Sequence, residues 1–357
     1  MMQFNELLRF MIEKATLELH LVPGSPVMYR DSQFQLNPVD AAVLSPGEIK
    51  KLVTEVLSPE QKNEFAQKNE ITIAYSVPGL SRYRISAFVQ RNSISILIKT
   101  VPPNPPNLEE LNLPPLVKDI ADKVTKGLVV ICGPKQSGKS STLAAIINHI
   151  VENRSCKVMT LENPIKYLFK NKKGVICQRE VGIDVKDYEA AFDSLPHSGG
   201  DIFVINGVDT YEVASRILTM AAGGQLIFLT TAAANVQMVL EKFMDLYPPN
   251  LQGQCRTLLA VGLESVLAQI LVKKSSGDEV MPAVEALVAT GPVKTLLREG
   301  KMYQIQSIMS SAGREIGMQT QEQALRSLVK KNIITQDEAY ANAVRPEEFR
   351  KIMALPF

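Results

Sequence analysis

GLVVICGPKQSGKS (Gly127–Ser140) is the stretch on which the reading of this chain turns. Its first residues form an apolar, strand-like run, Gly133 to Ser140 match G-x-x-x-x-G-K-[ST], and STLAAIINHI (Ser141–Ile150) reads as a helix. Strand, glycine-rich turn and helix in that order make a phosphate loop. The turn directs backbone N–H groups inward around phosphate oxygens, and the helix adds the positive end of its dipole. Lys139 is placed to reach the β- and γ-phosphates, and the Ser140 hydroxyl to bind Mg²⁺. Gly133, Pro134, Lys135, Gln136, Ser137, Gly138, Lys139, Ser140 and Ser141 are therefore the candidate nucleotide-binding residues, with ATP and Mg²⁺ as expected ligands. A chance glycine-rich turn is the competing account, and the correct flanks on both sides count against it.

Working outward, further apolar runs follow at KVMTL (Lys157–Leu161), DIFVIN (Asp201–Asn206) and QLIFLTT (Gln225–Thr231). Near-continuous apolar strands alternating with helices predict a parallel α/β sheet covered on both faces. From about residue 288 the pattern is helical. Upstream, VPPNPPN (Val101–Asn107) and Pro114-Pro115 make a stiff linker over residues 102–116. Before it lies a small α+β unit, residues 1–101. Phe4, Leu7, Leu8, Met11 and Ile12 share one helical face, and TLELHLV (Thr16–Val22) is strand-like. Ser45, Pro46 and Glu48 start a second helix with a capping box. ITIAYSV (Ile71–Val77), RYRISAFVQ (Arg82–Gln90) and SISILIK (Ser93–Lys99) read as antiparallel strands with one face on a core.

Composition narrows the function classes. The chain has 357 residues, 45% hydrophobic and 21% charged, which excludes disorder and leaves room for about two domains. Thirty-nine basic against 37 acidic residues give +2, no reason to expect nucleic acid or an anionic membrane as partner. No run reaches the roughly 18 apolar residues that span a bilayer, and charges at Glu6, Arg9, Glu13 and Lys14 interrupt any signal-peptide core. A cytosolic chain, peripheral to a membrane at most, is expected. Cys132, Cys156, Cys177 and Cys255 lie far apart with no C-x-x-C pair, so buried, reduced thiols are expected. His20 and His149 lack metal-spaced partners and read as structural.

The phosphate loop, TLENPIKY (Thr160–Tyr167) and QREVG (Gln178–Gly182) together resemble the ATPases of type II secretion and type IV pili. VKTLLREGK (Val293–Lys301) and GMQTQEQALRSLVKKNIIT (Gly317–Thr335) are similar to the pilus-retraction, or twitching-motility, group. The resemblance runs from LELHL (Leu17–Leu21) to IITQDEA, nearly the whole chain. It implies a PAS-like N-terminal domain (1–101), a RecA-like ATP-binding core (117–287) and a helical C-terminal subdomain (288–357). It also implies a hexameric ring with nucleotide between subunits, docked on a pilus platform protein at the inner face of the bacterial inner membrane. Assembly members of the group generally carry extra N-terminal sequence and a cysteine zinc module, so retraction is the closer resemblance.

Against the family pattern, several positions differ. The acidic box keeps Glu162, the candidate water-positioning or Mg²⁺-linked carboxylate, but has Asn163 in place of aspartate and Lys166 in place of glutamate. A solvated surface carboxylate is the alternative for Glu162. Gly207 stands where the family has a glutamate, and Asp209, two residues on, compensates only if the loop is rearranged. Ala232 stands at a histidine position, and Asp193 and His197 at two arginine positions. Arg82, Arg84 and Arg91 lie on the N-terminal strands, where the resemblance implies cations that approach a neighbour's nucleotide. Solvent-facing alternation is the other account of them. Arg298 and Glu299 match a segment tied to retraction, with a surface ion pair as the alternative.

Two readings stay open on these residues. One is an active hexameric retraction ATPase using Lys139, Ser140 and Glu162. The other is a weakly or non-hydrolysing paralogue that binds ATP, forms a homo- or hetero-hexamer with an active retraction ATPase, and regulates it. Gly207→Glu is expected to raise turnover if the site is otherwise intact.

Overall fold

Period-two alternation builds the first sheet. Helix α1 (Phe4–Glu13) leads into strands β1 (Glu18–Leu21), β2 (Pro26–Arg30) and β3 (Leu36–Val43). Helices α2 (Pro46–Val56) and α3 (Pro59–Lys68) precede β4 (Glu70–Val77), β5 (Ser81–Gln90) and β6 (Ser93–Val101). This is a computed structural model, and it describes residues 4–354 apart from 15, 17, 32–34, 103, 278 and 312–313. Leu17 of the first expected strand and Pro103 of the linker thus lie outside the described residues. Among the described residues the strands form one antiparallel sheet in the order β3-β2-β1-β6-β5-β4. Its inner residues Leu19, Leu21, Tyr83, Ile85, Ile96 and Ile98 pack with Leu8 and Met11 of α1 and Ile49 of α2. The buried Tyr83 hydroxyl donates to Leu8 O at 2.9 Å.

Three of these elements escape sequence reading. Strands β2 and β3 are short or broken by Pro38. Helix α3 buries no side chain, so it has no apolar period to detect. It starts on the same capping device as α2, with Ser58 and Gln61 in place of Ser45 and Glu48.

The chain folds as two compact units, Met1–Asn104 with Lys166–Leu168, and Pro105–Ile165 with Phe169–Phe357. In the second, α4 (Pro115–Lys123) precedes β7 (Gly127–Gly133), α5 (Lys139–Asn153), β8 (Lys157–Glu162), β9 (Val175–Glu180) and α6 (Tyr188–Ser194). There follow β10 (Ile202–Asn206), α7 (Tyr211–Ala222), β11 (Leu226–Ala232), α8 (Val236–Leu246), α9 (Gln252–Gly262), β12 (Leu263–Lys273) and β13 (Val280–Val288). Beyond residue 288 the regular elements among the described residues are helical. They are α10 (Gly291–Glu299), α11 (Ile305–Ser311), α12 (Gln321–Lys330), α13 (Gln336–Asn342) and α14 (Pro346–Ala354), with short 3-10 turns between.

The sheet order is β13-β12-β7-β11-β10-β8-β9, parallel except for the β12–β13 pair. Leu128, Val130 and Cys132 of β7 face α7–α10, and Val129 and Ile131 face α4 and α5. Burial on both faces is what makes these strands continuous apolar runs. Helices α12–α14 form a smaller core with Val272 and Ala283 of the β12–β13 edge. The fold class is α/β, as the sequence predicts. Of the cysteines, Cys132 and Cys255 are buried while Cys156 and Cys177 are half-buried, and all four are free. Among the described residues no helix is long and apolar enough to cross a membrane.

Candidate functional site: a phosphate loop and the strand ends beside it

In an open parallel sheet, ligands bind outside the carboxyl ends of the strands. Gly133, Ala232, Asn206 and Glu162 end β7, β11, β10 and β8, which are neighbours in that order. Every position that the sequence singles out in this unit as part of a hydrolytic centre, apart from Asp193 and His197, lies at or just beyond these ends.

The loop from Gly133 to Ser140 closes on α5, whose N-cap is Gly138 at φ 83°. Gly133 adopts φ 155°, and an added Cβ there would meet Gln269 O at 2.2 Å and Ser137 Oγ at 2.4 Å. The first glycine is therefore obligatory on steric grounds alone. Pro134, Lys135 and Gln136 are exposed, Gly138 to Ser141 are half-buried, and Ser137 is buried. Lys139 Nζ donates to Gly133 O at 2.8 Å and Pro134 O at 2.5 Å, folding its ammonium over the loop it serves. Gln269 of β12 donates from Nε2 to Ser137 O and accepts from Thr142 Oγ1, both at 2.7 Å. Sequence reading misses Gln269, although a lone amide in the apolar run LESVLAQILV is a visible signal.

Glu162 is not a solvated surface carboxylate. It is 8% exposed, and its Oε1 accepts from Thr160 Oγ1 at 2.8 Å and from Gln178 Nε2 at 3.2 Å. Two neutral donors hold it at the strand end as an acceptor. Tyr188 of α6, also missed from the sequence, donates its hydroxyl to Asn206 O. Burial pushes the Tyr188 hydroxyl up to about 12, and the carboxylates of Asp209 and Glu162 add to the shift.

At Gly207 the structure adds a conformational constraint. Its φ is +101°, its N–H donates to Thr230 O at 2.8 Å, and a Cβ would have no neighbour nearer than 3.9 Å. Space exists, but the backbone conformation is one that side-chain-bearing residues rarely adopt. Gly207→Glu therefore has room for its side chain but also strains the loop, a cost that the sequence does not disclose. Asp209 does not fill in either. It is largely exposed and pairs with Lys242 Nζ at 3.0 Å, the same ammonium that donates to Thr231 Oγ1 at 2.9 Å.

Ala232 is exposed and sits opposite Gly133 in the β11–β7 register. Asp193 on α6 is exposed and pairs with Arg216 of α7 at 3.1 Å, and His197 is exposed in the turn after α6. In the N-terminal unit, Arg82 and Arg84 share the half-buried face of β5, alternating with buried Tyr83 and Ile85. Arg91 is not on a strand. With Asn92 it forms the two-residue β5–β6 hairpin loop, at φ 48° and 59°, the signature of a primed turn. Glu299 pairs with Lys301 at 2.8 Å, not with its neighbour Arg298. His149 Nε2 lies 2.6 Å from Asp122 Oδ1, and His20 lies 3.3 Å from Glu18.

Residues 83–344 match the family described as type II/IV secretion system protein. The chain belongs to this family. Among curated members it is 32% identical over 354 residues to the type IV pilus ATPase PilU of Pseudomonas aeruginosa, covering 99% of this chain and 92% of that one. It is 30% identical over 348 residues to the protein named "Type IV pilus retractation ATPase PilT" of the same organism, covering 98% and 100%. Among solved structures, the pilus retraction motor PilT with bound ADP superposes with a TM-score of 0.90 at 28% identity, covering 98% of this chain and 100% of that one. The family match spans most of the second unit, and the likeness to the ADP-bound PilT structure extends over 98% of the chain.

Proposed function

We propose that this chain is an ATP-binding subunit of a type IV pilus retraction motor, weakly or non-hydrolysing, that acts as an accessory of an active paralogue. The observation that carries the reading is the contrast across one strand, β11. On one side the phosphate loop is complete, with its glycines, Lys139 and the N-terminus of α5 in place. At the end of β11 itself position 232 is an alanine, and on the other side, after β10, position 207 is a glycine at φ +101°. ATP fits the loop because Gly133 and Gly138 leave backbone N–H groups open to phosphate oxygens. Lys139 would hold the β- and γ-phosphates and Ser140 the Mg²⁺, with Glu162 at the end of β8 as the carboxylate to order water.

The wider assembly follows from the family. Residues 1–101 act as a PAS-like domain joined through 102–116 to the RecA-like core (117–287) and helical subdomain (288–357). Arg82 and Arg84 supply cations to the nucleotide of a neighbouring subunit in a homo- or hetero-hexameric ring. The ring works in the cytoplasm against a platform protein at the inner membrane, with no direct role for nucleic acid. An active retraction ATPase is the second reading, favoured by the buried and doubly hydrogen-bonded Glu162.

Phosphate release from Mg-ATP, measured beside Lys139→Ala and alongside nucleotide binding, separates the two. Binding with release no faster than in Lys139→Ala is the expected outcome. Release well above that control establishes the active motor, and loss of one positioned electrostatic group is scaled at about 10²–10³ in rate.

A further inference from the structure

The two glycines of the phosphate loop share a neighbour. An added Cβ would stand 2.2 Å from the backbone oxygen of Gln269 at Gly133, and 2.6 Å from its Nε2 at Gly138. Gln269 runs beneath the loop, and its side chain occupies the space that a residue larger than glycine would need. It is 3% exposed and uses both ends of its amide. One end holds the Ser137 carbonyl and the other the Thr142 hydroxyl in the first turn of α5.

The Ser137 carbonyl belongs to the same planar peptide as the Gly138 N–H. In a trans peptide these two groups point in opposite directions. A donor that draws the Ser137 carbonyl down toward β12 therefore turns the Gly138 N–H up, toward the space where the loop receives phosphate. A loop without that donor has an unsatisfied buried carbonyl, and flipping the peptide to solvate it would aim oxygen at the anion. Because a carbonyl only accepts, Ser137 O takes the Nε2 end, and the Thr142 hydroxyl satisfies the Oε1 end and holds the amide in place.

We propose that Gln269 is a positioning residue of the nucleotide site, fixing the orientation of the 137–138 peptide so that Gly138 N–H faces the bound phosphates. This rests on the reading of residues 133–141 as a phosphate loop, and it assigns to β12 a part that the loop motif does not contain.

The test is equilibrium binding of Mg-ADP to the full chain, with the melting temperature of the nucleotide-free protein recorded for each variant. Gln269→Met keeps length and volume and removes both amide ends, and Gln269→Glu keeps the acceptor for Thr142 while replacing the donor to Ser137. Both are expected to weaken ADP binding by about tenfold or more. Thr142→Val is expected to weaken it too, whereas Thr142→Ser, which keeps the hydroxyl, restores it. A purely structural role would lower the melting temperature without that serine rescue of affinity. Wild-type affinity in folded Gln269→Met overturns the inference while Lys139→Ala still shows the site to be real. Should Gln269→Met not fold, the Thr142 pair decides, and unchanged binding in Thr142→Val overturns the inference. Absence of binding in the wild type overturns the phosphate-loop reading and this inference together.

Discussion

Strands β12 and β7 end in a cradle whose polar groups are tied to residues far away in the chain. Ser137 and Gln269 are 132 positions apart, as their mutual bond requires two non-adjacent elements. Strands β10 and β11 end in a mixture. The buried Thr230 hydroxyl donates to Asn206 Oδ1 at 2.6 Å, and Asp209 makes a pair with Lys242. On the flanking helices Asp193 of α6 makes an exposed pair with Arg216 of α7. The first set is buried and interlocked, so each member constrains the others. The second combines buried bonds with solvated ion pairs, and the pairs are the part replaceable at small cost. On the reading proposed above, holding a nucleotide and acting on it fall to adjacent strand ends held to different standards. One can persist while the other changes.

The largest way to break this contrast is a methyl group. Gly133→Ala forces a Cβ to 2.2 Å from a backbone oxygen, and a destabilisation of roughly 2–5 kcal/mol is expected from overpacking and strain together. Gly207→Ala has open space and only the backbone penalty, about 1–2 kcal/mol. Urea unfolding of the two variants measures the difference directly. Equal effects would mean that the two strand ends are equally tolerant.

A second test uses pH on the cradle side. Glu285 of β13 is 1% exposed, and its Oε2 accepts the Val236 N–H at the start of α8 at 2.8 Å. Burial pushes its carboxyl up to about 7 from an ordinary 4.5, with Glu322 and Glu348 adding to the shift, and the Val236 N–H and Arg345 opposing it. The unfolded chain releases that proton first, so this contribution is greatest at low pH and falls as pH rises from about 4.5 to about 7. Its full size is about 3 kcal/mol at most. Glu285→Gln should therefore gain on the wild type at pH 8 and not at pH 4.5, in unfolding midpoints taken across that range. A constant difference would place the titration elsewhere.

The smallest effect belongs to the other side. Both partners of the Asp193–Arg216 pair are more than half exposed. Asp193→Ala should leave the melting temperature unchanged within error, and a clear drop would show that this pair is more than a solvated contact.

What the sequence discloses and what it hides divide along the same physical line. The phosphate loop is legible because its chemistry demands residue types at fixed spacing, and β7, β8, β10 and β11 because burial on both faces leaves mainly apolar runs, with polar residues gathered toward their carboxyl ends. Strand β12 is not, since Ser265 and Gln269 interrupt its apolar run. Helix α3 is illegible for the opposite reason, having no buried face at all. Gln269, Tyr188 and Lys242 act through partners 132, 18 and 33 residues away, and no local pattern announces such bonds. Glu162 and Gly207 could be located as positions, but burial of the one and the left-handed backbone of the other belong to three dimensions.

That backbone at Gly207 also limits what the position accepts. Once the loop after β10 has settled at φ +101° with its N–H bonded to Thr230, every residue that carries a side chain is disfavoured there. A carboxylate placed at 207 meets a backbone cost of about 1–2 kcal/mol unless the loop is re-routed with it. Position 207 thus filters its own replacements, because each costs stability before any chemistry could be gained.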